Sequence, residues 1–455
     1  MKISFHGAAR EVTGSCHLLT LEDKNGVERR ILIDCGMFQG ESYADERNRQ
    51  PFGFDPASLD AVCITHAHAD HTGRLPKLIK EGYTKSIFMT PPTCALARVI
   101  LEDAYEIMQD DARRNGDIVL YEKEDVQGVM KQSKLVGYHE EVEIAPGISF
   151  MFHDAGHILG SAFITFKVLG KQILFSGDIG NDDVPILPST EAISHADIVV
   201  CESTYGSRLH EKAPERTEKL ITSIKQIITN GGVLLIPSFS IERTQELLYE
   251  LNNILLHELK TNIPIFLDSP MAIRATQLYR DYKTFLQFDM PIFSDPDGDF
   301  FSFPNLRETL TVDASKHINE INPPKIIIAG SGMMSGGRIM HHLPRYLSNP
   351  KNLILIIGYL AKGTLGRRIY EREPRVKIYG EWIQVKAGIS AIGAFSAHGD
   401  QEKLTRWLLP EDQKIPEKIF LVHGDPEEKE VFATHLHHRY QTEIIIPEFG
   451  SVHEL

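Results

Sequence analysis

Thr65–Gly73 reads T-H-A-H-A-D-H-T-G and packs His66, His68, Asp70 and His71 into six positions. In an extended or tightly turning segment, side chains at i, i+2 and i+4 project to one side, so His66, His68 and Asp70 can face a common point. His71 then faces the neighbouring side. Neutral imidazoles can bind one divalent ion, and a carboxylate with an imidazole can begin the shell of a second. A His-rich surface turn is the plain alternative, and three histidines with one aspartate at this density argue against it. The segment fills only part of two coordination shells, so the other ligands must come from elsewhere in the sequence.

The elements that must position these groups are strands. The apolar run Ala61–Ile64 delivers the cluster, and the same device recurs throughout the sequence. Strand Arg30–Ile33 runs into Asp34. Ile148–Phe152 leads to H-D-A-G-H and so to His157, Lys171–Phe175 stops at S-G-D with Asp178, and Ile198–Cys201 ends at Glu202. Towards the C-terminus the run A-F-S-A-H places His398 before a helix Gln401–Leu409, and Ile419–Val422 ends at His423. All lie at or just past the C-terminal ends of expected strands, where loops of layered α/β sheets converge on ligands. Singly each has a bland account as a turn cap or a core imidazole; jointly they describe a site.

The remaining pattern predicts strands Lys2–Phe5, Cys16–Leu21, Val142–Ile144 and Ala162–Val168, and helices Arg74–Glu81, Thr93–Asn115 and Lys123–Gln132. From about Ser207 helices and strands alternate: helix Glu215–Asn230, strand Val233–Ile236, helix Arg243–Leu259, strand Ile263–Leu267, helix Met271–Phe285, then strands Lys325–Ala329 and Leu353–Ile357. Asp289–Asn322 reads as an irregular connection. At 455 residues the chain exceeds the size at which one core keeps growing. The expected division is 1–206, an insertion 207–388, and 389–455.

No stretch approaches eighteen apolar residues and the N-terminus lacks a signal-like apolar segment, so no membrane partner is expected and a cytoplasmic location follows by default. Cys16, Cys35, Cys63, Cys94 and Cys201 show no C-x-x-C pair and read as reduced core thiols. The net charge of −14 argues against non-specific coating of nucleic acid. Lys325–Lys377 runs against this balance, with ten Lys or Arg and only Glu371 and Glu373. The run adjoins the glycine-rich loop Ser331–Arg338, whose backbone N–H groups at Ser331, Gly332, Gly336 and Gly337, with the guanidiniums of Arg338 and Arg243, could hold a polyanion's phosphates.

Taken together, these residues resemble the metallo-β-lactamase superfamily, whose H-x-H-x-D-H motif stands here as His66, His68, Asp70 and His71. Asp34, His157 and Asp178 match its further site positions in order. Glu202 in C-E-S-T-Y-G, the insertion, His398 in S-A-H-G-D and His423 in V-H-G resemble the extra motifs of the β-CASP branch of RNA-processing nucleases. P-S-F-S-I-E-R-T-Q-E-L at Pro237–Leu247 resembles a signature of that branch, which commonly has Gly where Glu242 stands. The resemblance implies an αββα sandwich with an inserted α/β β-CASP domain, capping the metal edge so that a single strand threads between the lobes. It also implies two zinc ions per chain, with manganese or another divalent ion as the substitute. His66, His68, His157 and Asp178 would hold one ion, and Asp70, His71, Asp178 and His423 the other.

On that reading a shared water is activated for in-line attack on a phosphodiester of single-stranded RNA, leaving 5′-phosphate and 3′-hydroxyl ends, in endonucleolytic or 5′-exonucleolytic mode. His398 would protonate the leaving oxygen with Glu202 behind it, and Asp34 would orient a ligand imidazole. Homodimers are familiar in the branch. Two other readings use the same centre: a hydrolase of small esters or lactones, which would not need Glu202, His398 or the insertion, and a non-catalytic RNA-binding subunit, which would have lost ligands.

Overall fold

The computed structural model describes the protein except residues 40–42, 183, 211–212, 288–298, 359, 361–362 and 411–413. It divides into two compact units. The first is built from Met1–Asp182, Leu187–Leu209 and His398–Leu455; the second is essentially His210–Ala397. Strand Gly388–Ala391 pairs in parallel with Leu353–Ile356 inside the second unit, which runs to Ala397 rather than the expected 388.

In the first unit two seven-stranded sheets pack face to face. One runs Val452–Glu454, Lys2–Phe5, His17–Glu22, Glu28–Ile33, Ala61–Cys63, Ile87–Met89, Ser133–Leu135. The other runs Glu443–Ile445, Lys418–Val422, Ile198–Glu202, Lys171–Phe175, Ala162–Val168, Ile148–Asp154, Val142–Ala145. Alternate residues such as Phe5, Ile31, Phe150, Phe166, Phe175 and Phe420 fill the space between the sheets. The outer faces carry Leu32, Val62 and Ile87 under helices Leu75–Lys80, Pro91–Asn115 and Lys123–Gln132, and Val199 and Leu421 under Gln401–Leu408 and Pro426–Arg439. This is the expected αββα sandwich. Helix Pro91–Asn115 starts where Thr90 accepts from Thr93 N and stops at Gly116, which takes a left-handed φ of 76°.

The second unit holds a parallel six-stranded sheet in the order Leu306–Glu308, Ile265–Asp268, Lys325–Ala329, Val233–Pro237, Leu353–Ile356, Gly388–Ala391. Two helices are shorter than their patterns suggest. Arg243–Asn253 gives way to a wider π turn, Ile254–Glu258, and Pro270–Asp281 is followed by a 3-10 turn, Lys283–Phe285. Part of the expected irregular connection, 289–298, lies outside the described residues; the rest contains strand Leu306–Glu308 and helix Val312–His317.

Glu242, where the branch commonly has Gly, stands just before helix Arg243–Asn253 at φ 66°, the left-handed region that glycine adopts freely. Its side chain is buried; Tyr279 Oη donates to Oε2 at 2.6 Å, while Oε1 accepts no hydrogen bond among the described residues. Burial, helped by Glu246 and opposed by Arg243, pushes its carboxyl up to about 8 from an ordinary 4.5. Between those values the folded protein keeps a proton that the unfolded polypeptide releases, so stability falls as pH rises through this window. Glu242→Gln keeps the shape and removes the titration. Denaturant unfolding should show the variant gaining on the wild type by a few kcal/mol between about pH 5 and about pH 9, from about 1.4 kcal/mol per tenfold change in proton affinity. A stability difference that does not move with pH would refute this.

Candidate metal centre

The parallel pairing Ile31–Ile33 with Ala61–Cys63, and Ile198–Glu202 with both Ile173–Phe175 and Lys418–Val422, brings several strand ends to one edge. Asp34 and His423 take left-handed φ values of 59° and 47°, costly for residues with a Cβ and typical of functional turns. The backbone comes very close there: a Cβ on Gly36 would sit 1.6 Å from Asp70 O, so only glycine fits.

His66, His68, His157 and Asp178 form one group, and Asp70, His71 and His423 another; within each, one ligand atom per residue lies within 4.8 Å of every other. In the first group His68 Nδ1 is 3.1 Å from His66 Nε2 and 3.3 Å from His157 Nε2. Asp178 divides its oxygens: Oδ2 is 3.4 Å from His66 Nε2 and 3.6 Å from His157 Nε2, while Oδ1 is 3.4 Å from His71 Nε2 and 3.5 Å from His423 Nδ1. His423 Nε2 lies 3.3 Å from Asp70 Oδ2. Ligand bonds of about 2.0–2.1 Å around a tetrahedral ion put donors roughly 3.4 Å apart, which these separations match. Asp178 Oδ1 is buried and accepts no hydrogen bond among the described residues, a costly state that a cation between the carboxylate and the imidazoles would relieve. The donor set fits divalent metal ions, with Asp178 placed to serve both groups.

Hydrogen bonds behind the ligands orient them. Asp34 Oδ2 accepts from His71 Nδ1 at 2.7 Å and from Thr65 Oγ1 at 2.8 Å, while Oδ1 accepts from Thr65 N at 2.8 Å. His71 therefore turns Nε2 to the centre. Thr65 Oγ1 also lies 3.1 Å from His66 Nδ1, Ser161 Oγ accepts from His157 N at 3.0 Å, and Thr204 Oγ1 lies 3.0 Å from His423 Nδ1. None of these three hydroxyls is expected from the sequence. Thr65 and Thr204 each adjoin a motif residue, and that adjacency was the available signal.

Burial lowers the imidazoles of His66 and His68, the latter to about 4, keeping both neutral and fit to ligate. At His71 burial acts downward too, but Asp178 and Asp34 outweigh it and hold the ring well above its ordinary value. Burial would raise Asp178; His423, His71, His66 and His398 outweigh it and hold the carboxyl well below the usual range.

Asp178, Glu202, His398 and His423 form a further group, which joins the expected acid–base residues to the metal ligands. Both oxygens of the buried Glu202 face His398 Nδ1, at 3.2 and 3.1 Å, and Oε1 accepts from Ile179 N at 2.6 Å. Burial opposes a charge on His398, but Glu202 and Asp178 prevail and raise it. Its side chain is 19% exposed, so one edge of the ring reaches solvent beside a closed centre.

Two expected phosphate contacts need correction. Arg243 is buried and pairs with Glu246 Oε2 at 2.6 Å, while Arg216 holds the other oxygen of the same carboxylate. Arg338 Nη1 pairs with the buried Asp268 at 2.5 Å and donates to Thr309 O and Thr311 O, and its Nη2 donates to Leu310 O. Arg243 is thus buried and ion-paired, and the Arg338 guanidinium is engaged by Asp268 and three carbonyls, all inside the second unit. In the glycine-rich loop, Ser331 Oγ is buried without a hydrogen bond among the described residues, the space beside Gly332 is filled by Phe239, and Met334 is buried in that unit's core.

Three family models match the protein: the metallo-beta-lactamase superfamily over 10–205, the Beta-Casp domain over 244–369, and the Zn-dependent metallo-hydrolase RNA specificity domain over 382–447. The sequence is 38% identical over 451 residues to "Ribonuclease TTHA0252" of Thermus thermophilus, and 33% identical over 456 residues to an "RNase J-like protein" of Methanocaldococcus jannaschii, with 99% of each protein covered in both cases. It is 31% identical over 442 residues to "Transcription termination factor FttA" of Methanosarcina mazei, covering 93% of this sequence and 67% of that one. A solved protein of unknown function from Enterococcus faecalis shares the fold at a TM-score of 0.56 and 10% identity, covering 100% of this sequence and 99% of that one. With the metal-ligand groups assembled at the sheet edge and full-length relatives above 30% identity, the chain belongs to the metallo-β-lactamase superfamily, in its β-CASP branch.

Proposed function

We propose that the protein is a ribonuclease that hydrolyses phosphodiester bonds of single-stranded RNA and leaves 5′-phosphate and 3′-hydroxyl ends, using two zinc ions held by His66, His68, His157 and Asp178 and by Asp70, His71, Asp178 and His423. The observation that carries this reading is the Glu202–His398 pair beside the ligand groups. The ribose 3′ oxygen of RNA departs as an alkoxide and takes up a proton as it leaves, which the His398 ring is placed to give. Relatives named as ribonucleases support the same substrate class.

When bound, the ions supply a nucleophile at neutral pH and a Lewis acid for the phosphoryl oxygen. The protein's own residues do the rest. Glu202 accepts from His398 Nδ1–H, which fixes the tautomer and supports the positive ring, so that Nε2–H can be donated to the departing 3′ oxygen. Asp34 and Thr65 hold His71 and His66 in their ligating tautomers. Gly332, Gly336 and Gly337 keep the proposed role of backbone N–H contacts to phosphate, without Arg243 and Arg338, while Ser331 N donates within the loop to Gly336 O at 3.4 Å.

The test is digestion of a single-stranded RNA labelled internally and at its 5′ end. Cleavage should stop with chelator, return with Zn2+ or Mn2+, and give 5′-phosphate ends; the label pattern distinguishes internal cutting from attack at the 5′ end. Metal-loaded protein that spares RNA and hydrolyses a small ester would overturn the reading.

A further inference from the structure

Outside the catalytic centre, the first unit assembles another group of metal-ligating side chains. His139, His153 and Glu191 each offer one ligand atom, all within 4.8 Å of one another. His139 Nε2 is 3.2 Å from Glu191 Oε1, and His153 Nδ1 is 3.6 Å from Glu191 Oε2. These separations bracket the roughly 3.4 Å expected for donors sharing a tetrahedral ion. We propose that His139, His153 and Glu191 form a third, peripheral divalent-cation site, with two imidazoles and one carboxylate, that takes zinc or a similar transition ion.

Each ligand is held in place by its own surroundings. His153 stacks on Phe163, with ring centroids 4.7 Å apart and planes 10° apart, and its Nε2 meets Thr165 Oγ1 at 3.0 Å, leaving Nδ1 to face Glu191. His139 adopts a left-handed φ of 63°, a strained choice for histidine, while its N–H donates to Phe152 O at 2.9 Å. That conformation fixes the residue beside strand Ile148–Asp154, where His153 lies. Glu191 N donates to Asp154 O at 3.0 Å, its Oε1 accepts from Asp154 N at 3.1 Å, and Trp407 Nε1 donates to Glu191 O at 2.9 Å.

A plain histidine–carboxylate contact would use the same residues, and bound zinc is the property that separates it from a metal site. The His139 side chain is 61% exposed and Glu191 30%, which leaves room for water to complete a tetrahedral shell. The site also has a structural consequence. It would tie the segment at His139 and the segment at Glu191 to strand Ile148–Asp154, which feeds the H-D-A-G-H turn carrying His157. Thr190 Oγ1 already donates to Ala155 O of that turn at 2.9 Å.

The proposal does not depend on the ribonuclease reading, and its test reads metal rather than activity. Wild type, His139→Ala and His153→Ala are dialysed to equilibrium against excess Zn2+ and analysed for bound metal. Wild type should hold one more zinc per molecule than either variant, and a chromophoric chelator should remove that zinc in a fast phase missing from both. His139→Asn, at an exposed position, guards against a folding defect and should lose the same zinc. Equal zinc contents and equal fast phases in wild type and the variants would overturn the site.

Discussion

Asp178→Ala is expected to lower metal-dependent RNA cleavage by roughly 10⁴-fold or more, because it strips one ligand from each ion at once. The split of its oxygens, Oδ2 toward His66 and His157 and Oδ1 toward His71 and His423, is the reason. On the proposed two-ion assignment every other ligand serves a single ion. Asp178→Asn keeps the volume but exchanges the anion for a neutral amide, and should bind metal weakly at both groups. Metal content after dialysis separates this account from a purely chemical role: both variants should hold fewer ions than wild type, with an unchanged far-UV spectrum. Full metal content alongside lost activity would refute the bridging role, and full activity would refute the centre as a whole.

His398→Ala is expected to lower kcat by about 10²–10⁴-fold while leaving KM and metal content near the wild-type values. The ring is anchored to Glu202 and need not ligate, so its loss should spare both ions. The decisive readout is the leaving group. A substrate with sulfur in place of the 3′ oxygen at the scissile bond releases a thiolate, which departs without a proton. On that substrate His398→Ala should recover most of the wild-type rate. Glu202→Gln should fall between wild type and His398→Ala, because the amide can hold the ring but cannot support its charge. An equal defect on both substrates would remove the proton-donor role. It would leave His398 as a positioning residue beside Asp178, which lies 3.9 Å away.

The peripheral group adds a second way for metal to act on this protein. Both depend on the H-D-A-G-H turn, with His153 at one end and His157 at the other, so thermal midpoints measured against zinc concentration should rise in two stages in wild type. The later stage should vanish in His139→Ala.

Several features were legible in the sequence because short-range chemistry fixed them. The six-residue cluster His66–His71 declares its metal chemistry by spacing alone, and each strand that ends in Asp, Glu or His marks the sheet edge where it must lie. Helix Lys123–Gln132 and strands Ala162–Val168, Lys171–Phe175 and Lys325–Ala329 stand where their patterns put them, since each has a local stop signal. Very short strands such as Ile87–Met89 and Ser133–Leu135 escaped because three residues carry no period. Helix Pro426–Arg439 also escaped: it buries Glu428 and Lys429 along with Phe432 and Leu436, so its apolar stripe is broken.

Other features were decided only by tertiary structure, because they are pairings between residues far apart in sequence. Strand Lys2–Phe5 pairs with Val452–Glu454, and nothing local to either announces the partner. Arg338 beside a glycine-rich loop looked like a phosphate ligand until Asp268, 70 residues earlier, claimed its guanidinium. Glu242 gave no hint that it would keep a proton, since that follows from burial beside Glu246, which outweighs Arg243 and the Tyr279 hydroxyl. The sequence by itself determined which residues can hold metal and move a proton, because residue type and strand-end position carry that information. Which nitrogen faces the ion, which carboxylate serves two groups and which cations remain for substrate depended on long-range packing, because burial and hydrogen-bond geometry exist only once the protein has folded.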